Sequence, residues 1–204
     1  MKRLTDVNLN TSDYYDGLWK VPENARYDPE YSQAFVKELP EDGVVADVCC
    51  GLCGWADYAI THNLRPRLFY DLLDFSPYVI DTLKIKLAGK LVFPLVWDAL
   101  KYPPLSETAA PVYRFYSFVG SSEAIEHFED PQRFVDILFD MTHCGGKVMV
   151  GTLNNHCSDA QKLTYPEHLW EFTPQDLIDL FVKHSKDPVY ELVGNYHTIR
   201  GVKE

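Results

Sequence analysis

The chain has 204 residues, of which 46% are hydrophobic and 24% are charged, and its formal net charge at pH 7 is −11. This length suits one domain with a sizeable core, so we expect residues 1–204 to fold as a single domain. The negative charge makes nucleic acid a disfavoured partner, because sequence-independent binding to nucleic acid depends on Lys and Arg neutralising phosphates.

Two further features of the composition concern the cellular compartment. No apolar run approaches the roughly 20 residues of a membrane span, and the first residues lack the apolar core of a signal peptide. The five cysteines are an odd number, which does not suggest a disulfide framework. We therefore expect a reduced, cytoplasmic protein without membrane attachment.

The spacing of apolar residues predicts strands that alternate with helices. Residues 1–27 are polar and aromatic, and we interpret them as a lid over a binding site or as a surface strap. Strands are predicted at 44–48, 68–73, 91–96, 112–120 and 147–152, and helices begin at or near residues 29, 55, 77, 130 and 174. Cys144-Gly145-Gly146 is expected to end the helix that begins near Asp130. Two last strands, 189–193 and 196–202, flank Gly194-Asn195, a two-residue hairpin signal.

This alternation predicts an α/β fold, specifically a Rossmann-like three-layer sandwich. Helices are expected on both faces of a seven-stranded, mostly parallel sheet with a C-terminal antiparallel hairpin. Ligands of such sheets bind at the carboxyl ends of the strands. Residues that follow the strands are therefore the first candidates for a functional site.

A strand, a turn of small residues and a helix follow one another around residues 44–54. Asp47 interrupts the apolar strand, and the turn contains three cysteines and two glycines. This arrangement brings backbone close to a nucleotide, and an acid about 20 residues further on is expected to accept ribose hydroxyls. Asp74 stands at that place, at the end of the second strand. The Cys-x-x-Cys within the turn also permits a redox or metal role, which is less favoured because a second cysteine pair is missing.

Five segments in order carry a resemblance to a known family: 44–54, 72–77, 97–100, 121–131 and 145–150. On these segments the chain resembles the class I S-adenosylmethionine-dependent methyltransferases over nearly its whole length, and among them the ubiquinone-pathway O-methyltransferases. The hairpin at the end, instead of a sixth parallel strand, separates this family from NAD-binding folds.

The resemblance implies a set of residues that bind S-adenosyl-L-methionine: Arg26, Asp47, Cys49, Gly51, Asp74, Phe75, Asp98 and Ala99. The turn at 49–54 is expected to pass under the methionine part, and Asp74 to accept both ribose hydroxyls. Phe75 is expected to lie against adenine. Asp98 is expected to accept the adenine amino group, while Ala99 offers its backbone N–H.

Two positions in this set leave alternatives open. Arg26 resembles the arginine that binds the cofactor carboxylate in relatives, but it can equally be a surface charge. The turn of the family usually reads Gly-x-Gly-x-Gly, whereas Cys49 and Cys53 stand at its outer glycine positions here. A side chain at Cys53 is expected to crowd the cofactor or to force a positive φ on a non-glycine residue.

A cluster of acids and histidines is predicted beside the cofactor. Glu123, Glu126 and His127 follow the fourth strand within one helical turn, and His168 follows the fifth. These four residues suit a divalent metal such as Mg²⁺, and the pattern is similar to the metal site of small-RNA 3′-terminal 2′-O-methyltransferases and of ubiquinone-pathway enzymes. In the alternative without a metal, Glu126 pairs or caps and His127 is the general base.

These observations together predict methyl transfer to an oxygen of a small-molecule acceptor. One alternative is an RNA 3′-terminal 2′-O-methyltransferase, which needs a basic groove. Another is a cofactor-binding protein without turnover, whose turn is disabled by its cysteines.

Overall fold

The computed structural model describes residues 1–21, 28–52, 54–101, 116–154 and 165–204. Within these ranges the strands are β1 (Lys2–Arg3), β2 (Gly43–Val48), β3 (Leu68–Asp74), β4 (Val92–Val96), β5 (Tyr116–Ser122), β6 (Thr142–Leu153), β7 (Trp170–Glu171), β8 (Val189–Val193) and β9 (Tyr196–Val202). The helices are α1 (Ser12–Trp19), α2 (Pro29–Glu38), α3 (Trp55–Thr61), α4 (Pro77–Lys86), α5 (Pro131–Met141) and α6 (Pro174–Phe181). Short 3₁₀ turns cover Ala99–Lys101 and Ile125–His127.

Seven strands form one sheet in the order β4-β3-β2-β5-β6-β9-β8. The pairings from β4 through β6 are parallel, and β9 pairs antiparallel with both β6 and β8. The sheet thus has the predicted mostly parallel arrangement with a C-terminal hairpin. Strands β1 and β7 form a separate antiparallel pair.

Helices pack on both faces of this sheet. On one face α5 and α6 bury Phe134, Phe139 and Phe181 completely, and on the other α2 and α3 bury Phe35 and Trp55. Each face therefore has its own apolar cluster, as expected for three layers. No helix in the described ranges is long and apolar enough to cross a membrane.

Local capping chemistry explains where four of the helices begin. An Asp, Ser or Thr side chain accepts a backbone N–H of the first turn, and a proline occupies the first helical position in each case. The capping residues are Asp28, Ser76, Asp130 and Thr173.

The start of β6 differs from the prediction. Helix α5 ends at Met141, and the strand begins at once at Thr142, five residues before the predicted 147. Gly145 and Gly146 therefore belong to the strand and do not end the helix. A side chain at Gly146 would meet the Thr142 methyl group at 2.6 Å, so the glycine permits a close approach of backbone where the register between β5 and β6 shifts.

Two other boundaries are also different. The fourth strand, predicted at 112–120, is described from Tyr116 and extends to Ser122, while 112–115 lie outside the described residues. Helix α1 forms within the segment interpreted as a lid or strap, where no helix was predicted. None of the residues of α1 is fully buried. Its sequence therefore lacks the helically spaced apolar residues from which a helix is predicted.

Candidate active site

A cleft opens at the carboxyl ends of the parallel strands and encloses about 960 Å³, including its mouth. Predicted cofactor and catalytic residues line this cleft together: Cys49, Gly51, Asp74, Phe75, Asp98, Ala99, Glu123 and His127. Asp47, Glu126 and His168 are buried behind its surface. Arg26 and Cys53 lie outside the described residues.

Asp74 holds the small-residue turn against the end of β3. One carboxylate oxygen accepts the Gly51 N–H at 3.0 Å, and the other accepts the Ser76 N–H at 2.9 Å. Burial raises the pKa of Asp74 to about 6. Each oxygen retains a second lone pair, so a carboxylate at this place can also accept hydrogen bonds from a ligand in the cleft.

The turn itself adopts a left-handed backbone at two places. Gly51 has φ 54°, and Cys49 has φ 58°, a conformation that costs energy for a residue with a side chain. The expectation of crowding or of a positive φ concerned Cys53, which lies outside the described residues, so the left-handed backbone at Cys49 is a separate finding. Burial raises the pKa of the Cys49 and Cys50 thiols well above the usual value, so both remain neutral.

Asp47 supports this turn from behind. Its carboxylate accepts the Ala56 N–H at the start of α3 at 3.3 Å. A side chain added at Gly54 would lie 2.7 Å from the same carboxylate, so only glycine lets the turn approach this closely. Asp47 does not line the cleft, and we assign it to holding the turn instead of contacting the ligand.

Helix α1 lies over the cleft and supplies two aromatic walls. The ring centroid of Tyr15 is 5.4 Å from that of Phe75 and 5.8 Å from that of His127. Trp19 packs on the turn so closely that a side chain at Gly51 would meet its ring at 2.6 Å. These contacts place the helix where a lid over the cofactor would be.

Polar contacts hold α1 in this position. The Tyr14 hydroxyl donates to the Glu167 carboxylate at 3.2 Å, and the Ser76 hydroxyl donates to the Asp16 carboxylate. Just before the helix, the Asn10 amide donates to the His127 carbonyl at 2.9 Å and accepts the Tyr15 hydroxyl at 2.9 Å. Asn10 also lines the cleft, and an isolated asparagine in a polar segment carries no pattern from which this place could have been predicted.

His127 is a neutral imidazole in the cleft wall. Its Nδ1 lies 3.1 Å from the Glu167 carbonyl, which can only accept, so we assign the proton to Nδ1; the Glu123 carbonyl is a second backbone partner of the ring. Burial lowers the pKa of His127 to about 4. The ring is therefore uncharged at neutral pH.

Three of the four predicted metal ligands come together. One donor atom each from Glu126, His127 and His168 lie within 4.8 Å of one another. Both carboxylate oxygens of Glu126 are buried, and burial raises the pKa of Glu126 to about 8, although the Thr152 hydroxyl and a backbone N–H act to lower it. His168 stacks on Tyr165, and burial lowers the pKa of His168 to about 3.

Glu123 is not part of this group. Its backbone has φ 51°, and its N–H donates to the Gly151 carbonyl at 2.8 Å. Glu123 lines the cleft and is exposed, and it is not among the three clustered donors. The predicted four-residue set is thus reduced to three among the residues that the structure describes.

Comparisons with known proteins agree with this geometry. A family model described as "Methyltransferase domain" matches residues 23–185. A search of curated proteins returns no match.

Solved structures show the same fold at low sequence identity. A chain in the Haloferax volcanii complex with the Trm112 methyltransferase activator has a TM-score of 0.72 at 14% identity, over 93% of this chain and 97% of that one. Human N-acetylserotonin methyltransferase, solved with its cofactor, has a TM-score of 0.69 at 13% identity, over 95% of this chain and 56% of that one. Haemonchus contortus phosphoethanolamine N-methyltransferase 2 gives 0.69 at 14% identity, over 96% and 59%.

The family match covers most of the chain, and the fold places the cleft where such enzymes require one. The protein therefore belongs to the class I S-adenosylmethionine-dependent methyltransferases.

Proposed function

We propose that the protein transfers a methyl group to an oxygen of a small, flat acceptor, with His127 as the general base. The observation that carries this proposal is the neutral imidazole in the cleft wall, whose Nδ1 is engaged by the Glu167 carbonyl. A hydroxyl acceptor must lose its proton as the methyl group arrives, whereas a neutral amine has a free lone pair already. A base at this place therefore favours oxygen over nitrogen.

The residues of the cleft suit S-adenosyl-L-methionine, which when bound supplies a methyl group on a positively charged sulfur. Asp74 would accept the ribose hydroxyls, and Phe75 would face the adenine. Asp98 is anchored by the Leu100 N–H at 3.0 Å and would accept the adenine amino group beside the Ala99 backbone. Binding of the carboxylate by Arg26 stays a prediction.

Aromatic side chains on the acceptor side support a flat substrate. Tyr15 from α1 and Phe128 after the 3₁₀ turn both line the cleft. Such walls favour rings by stacking and by burial of apolar area. None of the described residues that line the cleft is Lys or Arg, which argues against RNA as the acceptor.

A second candidate is a metal-dependent version of the same reaction. Glu126 is a buried acid, and two neutral imidazoles stand beside it. Glu126, His127 and His168 would hold the ion, which would bind the acceptor hydroxyl and lower its pKa. Two imidazoles suit Mn²⁺, Co²⁺ or Zn²⁺ better than Mg²⁺, which prefers oxygen ligands.

The experiment is a transfer assay with a radiolabelled methyl group and matched phenols, aliphatic alcohols and amines, with and without a chelator. We expect phenols to be methylated and His127→Ala to reduce the rate by about 10²–10⁴-fold. His143→Ala, at an exposed histidine, is the matched control. Methylation of amines alone would contradict the choice of oxygen, and binding of S-adenosylhomocysteine without turnover of any acceptor would favour a cofactor-binding protein.

A further inference from the structure

A second cavity lies at the opposite end of the sheet from the cleft. It is open to solvent and lies between the end of α3, the loop before β3 and the loop before β4. Leu68, the first residue of β3, lines this cavity, while Asp74, the last residue of the same strand, lines the cleft. The two sites are therefore separated by about 20 Å, the length of that strand.

The charged residues that line this cavity are both cations. Arg65 and Lys90 line it, and no carboxylate does so among the described residues. The Nε of Arg65 is buried without a hydrogen-bond partner, and its only described hydrogen bond from the guanidinium runs from Nη1 to the Leu64 carbonyl at 3.3 Å.

Neighbouring Arg67 shows the ordinary arrangement. Its guanidinium lies 3.9 Å from the Glu41 carboxylate on the surface, and it does not line the cavity. Arg65 and Arg67 are two residues apart in the sequence. Among the described residues, Arg67 has a carboxylate within ion-pair distance and Arg65 has none. This contrast makes Arg67 a matched control.

The cavity wall also includes apolar side chains. Ile60 and Leu68 are buried parts of it, and Leu91 is 47% exposed at its mouth. Tyr70 contributes its ring, and its hydroxyl lies 3.5 Å from the Arg65 carbonyl. A ligand that matches both parts of the wall has an anionic head and a small apolar body.

We propose that this cavity is a second binding site, which takes a small organic anion. A carboxylate or phosphate head would accept hydrogen bonds from the Arg65 guanidinium and from the Lys90 ammonium group, because a guanidinium matches either oxyanion in geometry and charge. The apolar body would lie against Ile60 and Leu91. The proposal does not depend on the methyl acceptor or on the general base.

The test is an NMR titration of the ¹⁵N-labelled full chain with phenyl phosphate, benzoate, inorganic phosphate and phenol. We expect phenyl phosphate or benzoate to shift the amide signals of Ile60, Tyr70 and Leu91, and the tighter of the two identifies the head group. Arg65→Gln should weaken this binding about tenfold, the usual effect of removing one charge-assisted hydrogen bond. Arg67→Gln should change it less than about twofold, since a surface ion pair contributes little.

A second variant, Lys90→Gln, separates loss of binding from loss of folding. Because Lys90 is exposed, its replacement should weaken binding of the anion without lowering the melting temperature. The proposal would be overturned by no binding of either aromatic anion, by equal effects of Arg65→Gln and Arg67→Gln, or by shifts confined to the cleft at the other end of the sheet. Inorganic phosphate binding as tightly as phenyl phosphate, or phenol binding as tightly as benzoate, would also contradict it.

Discussion

Replacing Asp74 by Asn tests the cofactor cleft most directly. Both carboxylate oxygens of Asp74 accept a backbone N–H, one from Gly51 and one from Ser76. Asn has nearly the same shape, but it has one oxygen, and its NH₂ group would face a donor. We therefore expect Asp74→Asn to lose one of these bonds and to keep the other.

The stability of the fold should change little. Burial raises the pKa of Asp74 from 3.8 to about 6, so the folded state binds this proton more tightly than the unfolded state. The contribution of Asp74 to stability therefore falls as the pH rises from about 4 to 6, by about 3 kcal/mol in total, and stays constant above that range. An Asn side chain has no charge to bury, so the variant avoids the loss of about 3 kcal/mol in folding stability. It also loses a charge-assisted hydrogen bond of about 1.5–3 kcal/mol, so the gain and the loss in stability nearly offset each other at pH 7.

The affinity for S-adenosylhomocysteine should fall much more. Losing a charged acceptor for the ribose hydroxyls costs about 1.5–3 kcal/mol, which corresponds to about 10- to 100-fold weaker binding. Because the carboxylate accepts best when ionised, affinity of the unmodified protein should fall as the pH drops below 6. The Asn variant has no such proton and should bind with the same affinity from pH 5 to 8.

Calorimetry with S-adenosylhomocysteine over this pH range, together with thermal melting, measures both effects. Asp140→Asn, at an exposed aspartate on α5, is the control. Unchanged affinity in Asp74→Asn would refute the ribose assignment. If the affinity of the Asp74→Asn variant for S-adenosylhomocysteine still fell below pH 6, the pH dependence would come from a group other than Asp74.

The other predictions concern the base, the buried acid and the turn. His127→Ala should slow turnover by about 10²–10⁴-fold and leave S-adenosylhomocysteine affinity nearly intact, which calorimetry and rate assays separate. Glu126→Gln should abolish binding of Mn²⁺ or Co²⁺, measured by metal analysis after dialysis, and retained metal would contradict the cluster as a site. Gly51→Ala should displace Trp19 and weaken cofactor binding, seen as a change in tryptophan fluorescence, because the added carbon would meet the ring at 2.6 Å. Gly17→Ala, with nothing within 4 Å of the added carbon, should do neither.

The predicted elements that proved correct depend on local chemistry. Ser76 and Thr173 each cap a helix whose first residue is proline, and both helices begin where the sequence predicts. The hairpin at 189–193 and 196–202 has the predicted boundaries, since its turn lies within two residues. Asp74 and Phe75 reach the cleft because the end of a parallel strand determines their place.

What could not be predicted depends on contacts between distant parts of the chain. The early start of β6 is stabilised by bonds between Gly145, Gly146 and Lys203 at the end of the chain. Helix α1 is held by Glu167, about 150 residues away. Glu123 has a left-handed backbone, which helical spacing does not reveal, and it is absent from the cluster of Glu126, His127 and His168.

The position of α1 has a kinetic consequence for ligand exchange. A helix without a fully buried residue, held by a few side-chain hydrogen bonds, opens at far lower free energy than the sheet unfolds. We expect amide hydrogens of α1 to exchange much faster than those of β2 and β5, and to slow when S-adenosylhomocysteine fills the cleft. The lifetime of the product complex would then be determined by how often this helix lifts from the turn, so variants that loosen it should shorten residence time more than they slow association.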